Sequence, residues 1–293
     1  MKYIGFNNGV IDAREAVVSA LDHGFLYGIG LFETFRTYRG VPFLLDRHLK
    51  RMAEGCKDLG IPFHPDLELL EDWIRRVMNS NELEEAYIRY TITAGEDILG
   101  LPAGDYQQPN QLLYIKALPK APVELYSEGK ELQRLSLRRN TPEGAVRFKS
   151  LHYMNNILAK RELKRYASAA KGAEGLMLTA EECIAEGIVS NIFFIKNKTL
   201  YTPDLSTGIL PGITREMVLE LAAGAGLGAE EGRYRFEQLK AADEVFLTNS
   251  VQEIVPVTGL WHSDIRFTIG TGRCGAVTAD LISLYRERTG ASR

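Results

Sequence analysis

The sequence predicts a two-domain α+β protein, and three observations support this prediction. The chain has 293 residues, which exceeds one typical small domain and suffices for two domains that each bury a core. Hydrophobic residues make up 45% and charged residues 25%, as in an ordinary globular protein. Strand-like and helix-like segments occur together in each half of the chain, which is typical of α+β folds.

The first predicted domain, residues 1–118, opens with two hairpins. Asn7-Asn8-Gly9 marks the first turn, because Asn-Gly supplies the positive φ angles of a tight turn. Arg39-Gly40 marks the second, between strands at 31–38 and 41–45. Apolar spacing and β-branched or aromatic content predict the remaining elements, which are helices at 46–59 and 67–78 and strands at 87–94 and 111–118.

The second predicted domain follows a proline-punctuated stretch. Residues 119–130 contain Pro119-Lys120-Ala121-Pro122 and fit an interdomain linker. The larger domain is then residues 131–293. Its predicted elements are strands at 131–137, 176–179, 192–195, 200–201, 244–248 and 253–257, and helices at 151–169 and 213–223.

Charge and cysteine content exclude several functional classes. The net charge of −3 arises from 35 basic and 38 acidic residues without a long run of either sign, so we expect a small-molecule ligand rather than nucleic acid or a membrane. The three cysteines form no CxxC pair, and the histidines show no metal-ligand spacing, so we expect neither a disulfide scaffold nor a metal. The N-terminus has no signal-like region and no stretch is long enough to span a membrane, which predicts a cytoplasmic protein.

Three motifs carry chemistry only when they are considered together. Lys149, taken alone, fits a solvated surface lysine. Glu186 lies among small and apolar residues before a buried-looking strand, where a carboxylate needs a partner. The segment 208–215 places Gly, Ile and Thr at the start of a helix, where free N–H groups and the helix dipole favour a phosphate, although a plain helix start is the better explanation when this motif is taken alone.

In these motifs the sequence resembles the fold-type IV pyridoxal-phosphate enzymes. This family includes branched-chain and D-amino-acid aminotransferases and aminodeoxychorismate lyases. The resemblance covers nearly the whole chain, and its five landmarks occur in order: Asp22-His23-Gly24-Phe25-Leu26-Tyr27-Gly28-Ile29-Gly30-Leu31-Phe32-Glu33-Thr34, His48-Leu49-Lys50-Arg51, Lys149, Ala185-Glu186-Gly187-x-x-Ser190-Asn191, and Gly208-Ile209-Leu210-Pro211-Gly212-Ile213-Thr214-Arg215.

The resemblance implies a cofactor and a role for each site residue. Lys149 would hold pyridoxal 5'-phosphate as a Schiff base and, once released, act as a general base. Glu186 would keep the pyridine nitrogen protonated, so that the ring can stabilise a carbanion. The other implied residues are Arg51, Ser190, Asn191, Ile213, Thr214 and Ser250 for the cofactor, and Phe32, Tyr87, Arg89 and Val251 for the substrate.

The resemblance also implies an assembly. Its enzymes suggest a homodimer, with the cofactor site between the two domains and near the neighbouring subunit. His23, His48 and His152 lie inside or beside the motifs, and for them both a structural role and a role in the site remain open.

Two reactions remain possible, because the residues around the cofactor are shared across the family. Segments 19–36, 42–46, 138–144 and 149–156 look like the aminodeoxychorismate lyases of Bacillus-type bacteria, which implies elimination of pyruvate to give 4-aminobenzoate in folate biosynthesis. Tyr87-Ile88-Arg89 is similar to a strand of branched-chain aminotransferases, in which the first and third residues share one face and serve the substrate. A branched-chain or D-amino-acid aminotransferase is therefore the alternative.

A third hypothesis is a binding protein that kept the fold and lost the chemistry. Lys149, Glu186 and Arg51 occur together, and a decayed site is expected to lose costly buried charges first. The sequence therefore favours an enzyme.

Overall fold

The structure, a computed structural model, describes residues 1–122 and 124–290, and the chain divides into two compact units. Unit 1 comprises Met1–Lys120 and Phe148–His152, and unit 2 comprises Ala121–Arg147 and the chain from Tyr153 onward. The division thus places Lys149 with the N-terminal unit, whereas the sequence assigned it to the larger domain. Within the described residues, no helix combines the length and apolar character needed to cross a membrane.

Unit 1 is built on a six-stranded antiparallel sheet with the strand order β2-β1-β6-β5-β3-β4. Its elements are β1 (Tyr3–Phe6), β2 (Gly9–Asp12), α1 (His23–Leu26), β3 (Gly30–Tyr38), β4 (Val41–Pro42), α2 (Leu45–Asp58), α3 (Leu67–Ser80), β5 (Ala86–Thr93) and β6 (Asn110–Ala117). Both predicted hairpins are confirmed, and Asn7 and Asn8 take the positive φ angles of 45° and 68° that the turn requires.

Helices α2 and α3 pack on one face of this sheet. Alternate strand residues point toward the helices and join one hydrophobic core. Its members include Leu31, Phe35, Ile88, Ile92, Leu113 and Ile115 from the strands and Leu49, Met52, Trp73, Ile74 and Val77 from the helices. The opposite face carries the intervening residues of β3, β5 and β6, many of them polar and half-buried.

Unit 2 is built on a nine-stranded mixed sheet with the order β12-β11-β10-β13-β14-β7-β8-β9, and β15 pairs with β14. Its elements are α4 (Leu125–Glu128), β7 (Lys130–Arg134), α5 (Met154–Leu163), β8 (Glu174–Leu178), β9 (Ile184–Gly187), β10 (Asn191–Lys196), β11 (Thr199–Pro203), α6 (Ile213–Gly224), β12 (Ala229–Gly232), α7 (Phe236–Lys240), β13 (Glu244–Asn249), β14 (Glu253–His262), β15 (Ile265–Thr268) and α8 (Ala276–Thr289). The two sheets with their helices confirm the predicted α+β class.

Two predicted segments of unit 2 differ in the structure. The segment 119–130, expected to be a linker, contains helix α4. The helix expected at 151–169 is shorter, because Ser150 and Leu151 pair with β3 and Tyr166 adopts an extended conformation before a short 3-10 helix at Ala167–Lys171. Strand pairing to a distant segment leaves no local signal in the sequence.

Candidate active site

Lys149 is fixed to unit 1 by its backbone. Strand β4 covers only the C-terminal end of β3, and the segment containing Lys149 pairs with the N-terminal part of that edge. The N–H of Phe32 donates to the carbonyl of Lys149 at 2.9 Å, and the N–H of Leu151 donates to the carbonyl of Gly30 at 3.0 Å. The backbone on both sides of the Lys149 side chain is therefore bonded to strand β3.

The Lys149 amine and the Arg89 guanidinium both contact the buried ring of Phe32. Lys149 Nζ lies 4.8 Å from the ring centre, and Arg89 Cζ lies 3.6 Å from it. Cations are attracted to an aromatic face at these distances. Unit 1 thus brings together three of the predicted site residues, with Tyr87 two residues from Arg89 on the same side of β5.

Arg51 lies on α2 and is held by Glu33 of β3. Arg51 Nε and Nη2 donate to the two carboxylate oxygens of Glu33 at 2.8 and 2.6 Å, and His48 Nδ1 lies 2.6 Å from Glu33 Oε2. The side chains of Glu33 and His48 are each only 2% exposed. Glu33 uses two of the five donors of the guanidinium and thereby fixes its plane.

The charge states of this cluster follow from its burial and pairing. Burial raises the pKa of Glu33, but the charge of Arg51 and the contact with His48 have the larger effect and lower this pKa to about 2. Burial lowers the pKa of His48, since desolvation outweighs the attraction of Glu33. Near neutral pH, Glu33 is therefore ionised and His48 is neutral.

Glu186 lies on β9 in unit 2 and is 5% exposed. Arg139 Nε donates to Glu186 Oε1 at 2.8 Å, and the backbone N–H of Leu210 donates to Glu186 Oε2 at 3.0 Å. Asn191 Nδ2 lies 3.3 Å from the same Oε2 and donates to the carbonyl of Leu210 at 2.9 Å. The buried carboxylate has the cationic partner that its environment demands.

Arg147 is a second buried guanidinium near this carboxylate. Its Nε lies 4.0 Å from Glu186 Oε1, and it also donates to the carbonyl of Gly208. Burial and the charge of Arg139 lower the pKa of Arg147 to about 10, against the opposing effect of Glu186. Two arginines therefore surround one carboxylate.

The N-terminus of α6 lies beside Asn191. Gly212 precedes the helix, and a Cβ built on it would lie 1.9 Å from Asn191 Oδ1, so only glycine permits this approach. The first N–H groups of a helix, here from Ile213 and Thr214, have no partner within the helix. Thr214 Oγ1 lies 3.3 Å from Ser250 Oγ, which places two hydroxyls at the helix start.

Ser190 and Val251 have other partners. Ser190 Oγ donates to Glu174 Oε1 at 3.2 Å and is buried. The N–H of Val251 donates to Asn249 Oδ1 at 3.0 Å in the turn after β13, next to Ser250. The structure therefore places Val251 beside the α6 hydroxyl pair and ties Ser190 to Glu174.

Two motif histidines have structural contacts within unit 1. His23 is fully buried, with Nδ1 3.0 Å from the hydroxyl of Tyr106 and Nε2 2.8 Å from the carbonyl of Ile98. His152 Nε2 lies 2.7 Å from the carbonyl of Tyr27. These bonds anchor the segments that flank β3.

Comparison with known proteins decides the family. The profile described as amino-transferase class IV matches residues 30–260, most of the chain. The chain belongs to the class IV aminotransferases. The resemblance inferred from its five motifs is thereby confirmed.

Individual relatives of this class IV protein include both reaction types. It is 42% identical over 287 residues to aminodeoxychorismate lyase of Bacillus subtilis strain 168, covering 96% of this chain and 92% of that protein. Its structure is similar to 4-amino-4-deoxychorismate lyase from Pseudomonas aeruginosa, with a TM-score of 0.83, 29% identity and coverage of 97% and 98%. It is also similar to the branched-chain amino acid aminotransferase of Escherichia coli, with a TM-score of 0.86, 28% identity and coverage of 100% and 96%.

The residues of this class IV chain fit a phosphorylated pyridine cofactor. The α6 N-terminus, opened by Gly212 and flanked by the hydroxyls of Thr214 and Ser250, has the donors that a phosphate requires. The buried, ionically paired Glu186 suits a protonated ring nitrogen.

Two residues of these clusters, Arg139 and Glu33, were not predicted as site residues from the sequence, and the role of His48 was left open. Arg139 pairs with Glu186, and Glu33 and His48 hold Arg51. The signal for Arg139 was indirect, since a carboxylate among apolar residues requires a cation and Arg138-Arg139 stands upstream. Glu33 had no such signal, because it lies in an alternating strand where a polar residue commonly faces solvent.

Proposed function

We propose that this chain is a 4-amino-4-deoxychorismate lyase that uses pyridoxal 5'-phosphate to eliminate pyruvate and form 4-aminobenzoate, a step of folate biosynthesis. The observation that carries this proposal is the 42% identity to the Bacillus subtilis lyase, which extends over 96% of the chain. Lys149, Arg51 and Glu186 fit either reaction that the resemblance implies, so they support the chemistry in general rather than the substrate.

The proposed cofactor contacts involve the residues around Lys149 and Arg51 in unit 1 and those around Glu186 and the start of α6 in unit 2. Lys149 would bind the carbonyl carbon of the cofactor, and Glu186 would face its ring nitrogen. Its phosphate would be bound by Arg51, Ile213, Thr214 and Ser250. Asn191 would hold Glu186 in place, and Ser190, which donates to Glu174, would support the same part of unit 2. The bound cofactor supplies an electron sink for the carbon that loses its proton.

The protein side chains supply the remaining chemistry. The Lys149 amine, which lies against Phe32, would remove the proton from the substrate carbon that bears the amine. Arg89 also lies on Phe32 and would bind a substrate carboxylate, with Tyr87 and Val251 completing the substrate contacts. Orientation of the amine and the carboxylate around one aromatic ring would fix the reacting carbon near Lys149.

An aminotransferase is the second candidate, and one observation favours it. Tyr87 and Arg89 lie on one face of β5, as expected for a site that binds the single carboxylate of an amino acid. The two reactions differ in stoichiometry. A lyase needs no keto acid, whereas a transaminase needs one as a second substrate.

The deciding experiment is an assay of the purified protein with aminodeoxychorismate alone. We expect pyruvate and 4-aminobenzoate in equal amounts without an added keto acid. Pyruvate that appears only with a keto acid, or turnover of branched-chain or D-amino acids but not of aminodeoxychorismate, would contradict the lyase proposal.

We also propose that the protein is a homodimer. Phe25, Ile98, Leu99 and Leu101 are large apolar side chains that are 60–90% exposed. The segment carrying the last three is anchored to α1 by the contact of His23 with the Ile98 carbonyl. An ordered apolar surface of this kind fits a second copy of the chain. Sedimentation of Leu101→Lys should show more monomer than the wild type.

A further inference from the structure

Three cations share the face of the unit 1 sheet that points away from α2 and α3. We call Arg36, Tyr87, Arg89, Tyr114 and Lys116 the cationic face. Strand register pairs Tyr87 with Arg36 on one side and with Lys116 on the other, and it pairs Arg89 with Tyr114. Directly paired residues project to the same side of a sheet, so these five side chains lie on one surface.

The cationic face is accessible and has no acidic strand residue. Lys116 is exposed, and the other four residues are half-buried. At the positions of β3, β5 and β6 that point to this side, the described chain has no Asp or Glu. Lys116 Nζ lies 4.7 Å from the Tyr87 ring, so its charge is held over the sheet. Such a surface attracts anions.

The positively charged side chains follow one another in space along the strands, starting from the Lys149 amine. Lys149 and Arg89 contact the Phe32 ring, and the row formed by Arg36, Tyr87 and Lys116 comes next along the strands. Residues two apart on a strand are separated by about 7 Å. The row formed by Arg36, Tyr87 and Lys116 therefore lies about 7 Å beyond Arg89, a distance that a small molecule can span.

We propose that Lys116 and Arg36 bind a second substrate carboxylate and thereby favour a dicarboxylate over a monocarboxylate amine. This inference rests on the proposed function and names the substrate class of the same site. Arg89 binds the ring carboxylate, which 4-aminobenzoate retains. Lys116 and Arg36 bind the enolpyruvyl carboxylate, which leaves with pyruvate and which a branched-chain amino acid lacks.

Lys116→Met tests this inference, with Lys57→Met as the matched control. Both substitutions remove one exposed positive charge, but Lys57 lies on α2, on the opposite side of the sheet. Binding to the holoenzyme is measured by calorimetry with chorismate, which has both carboxylates and a hydroxyl in place of the amine, and with 4-aminobenzoate, which has one carboxylate. Neither measurement requires turnover.

We expect Lys116→Met to weaken chorismate binding about five-fold, the upper range for an exposed charge pair, and to leave 4-aminobenzoate binding unchanged. Lys116→Arg should restore chorismate binding, Arg36→Met should weaken it, and Lys57→Met should have no effect. Unchanged chorismate binding in both Lys116→Met and Arg36→Met, or equal weakening of both ligands, would overturn the assignment. Absence of aminodeoxychorismate turnover in the wild type would refute the proposed function, while the chorismate titrations would still decide the role of Lys116.

Discussion

Arg139 Nε donates to Glu186 Oε1 at 2.8 Å, and the side chains of both residues are less than 8% exposed. Arg139→Met leaves a buried carboxylate without its closest cation, so we expect the free energy of unfolding to fall by about 3 kcal/mol, the lower range for such a change. Arg147, 4.0 Å away, compensates in part.

Urea denaturation of Arg139→Met measures this loss, and Arg138→Met is the matched control. Arg138 pairs with Glu182, whose side chain is 44% exposed, so its removal should have a much smaller effect. The double variant Arg139→Met/Glu186→Gln should be more stable than Arg139→Met, because it no longer buries an uncompensated charge. Additive losses in the double variant would show that the pair is not coupled.

Lys149→Ala should abolish both the visible absorbance of the purified holoenzyme and the cofactor bond that borohydride can reduce. The physical reason is that only an amine adjacent to the cofactor can form that covalent bond. Lys57→Ala, an exposed lysine of the same unit, is the control and should retain both signals. A reducible bond that persists in Lys149→Ala would assign the cofactor to a different lysine.

The sequence predicted most local elements and few of the side-chain pairings. Asn7-Asn8-Gly9 encodes its hairpin locally, through the φ angles that these residues tolerate. The pairing of Ser150 with Leu31 joins segments far apart in sequence, so no local pattern indicated that Lys149 belongs to the N-terminal unit. The motif that contains Glu186 was found by resemblance, but its partner Arg139 became clear only from the fold.

Glu33 should make stability depend on pH in the acidic range. Its pKa is about 2 in the folded chain and 4.5 as its ordinary value, so its contribution is complete above pH 5 and is lost as the pH falls toward 2. His48 acts in the same direction, because its lowered pKa means that the unfolded chain binds its proton first below pH 6.5. We expect the wild type to exceed Glu33→Gln in stability at pH 7, and the difference to narrow between pH 5 and 3. A difference that stays constant with pH would contradict the ionised state of Glu33.

Arg51→Ala should weaken binding of pyridoxal 5'-phosphate about ten-fold or more, because a phosphate that loses a charge-assisted guanidinium contact loses roughly 1.5–3 kcal/mol. Pyridoxal, which has no phosphate, isolates this effect, since its affinity should be the same in the wild type and in Arg51→Ala.

Arg51 also pairs with Glu33, so Arg51→Ala removes a partner from a buried carboxylate and lowers stability. The ratio of the two cofactor affinities, measured by fluorescence titration of folded apoprotein at 25 °C, is insensitive to that loss. An unchanged ratio would place the phosphate away from Arg51 and leave the α6 N-terminus, with Thr214 and Ser250, as its binding site.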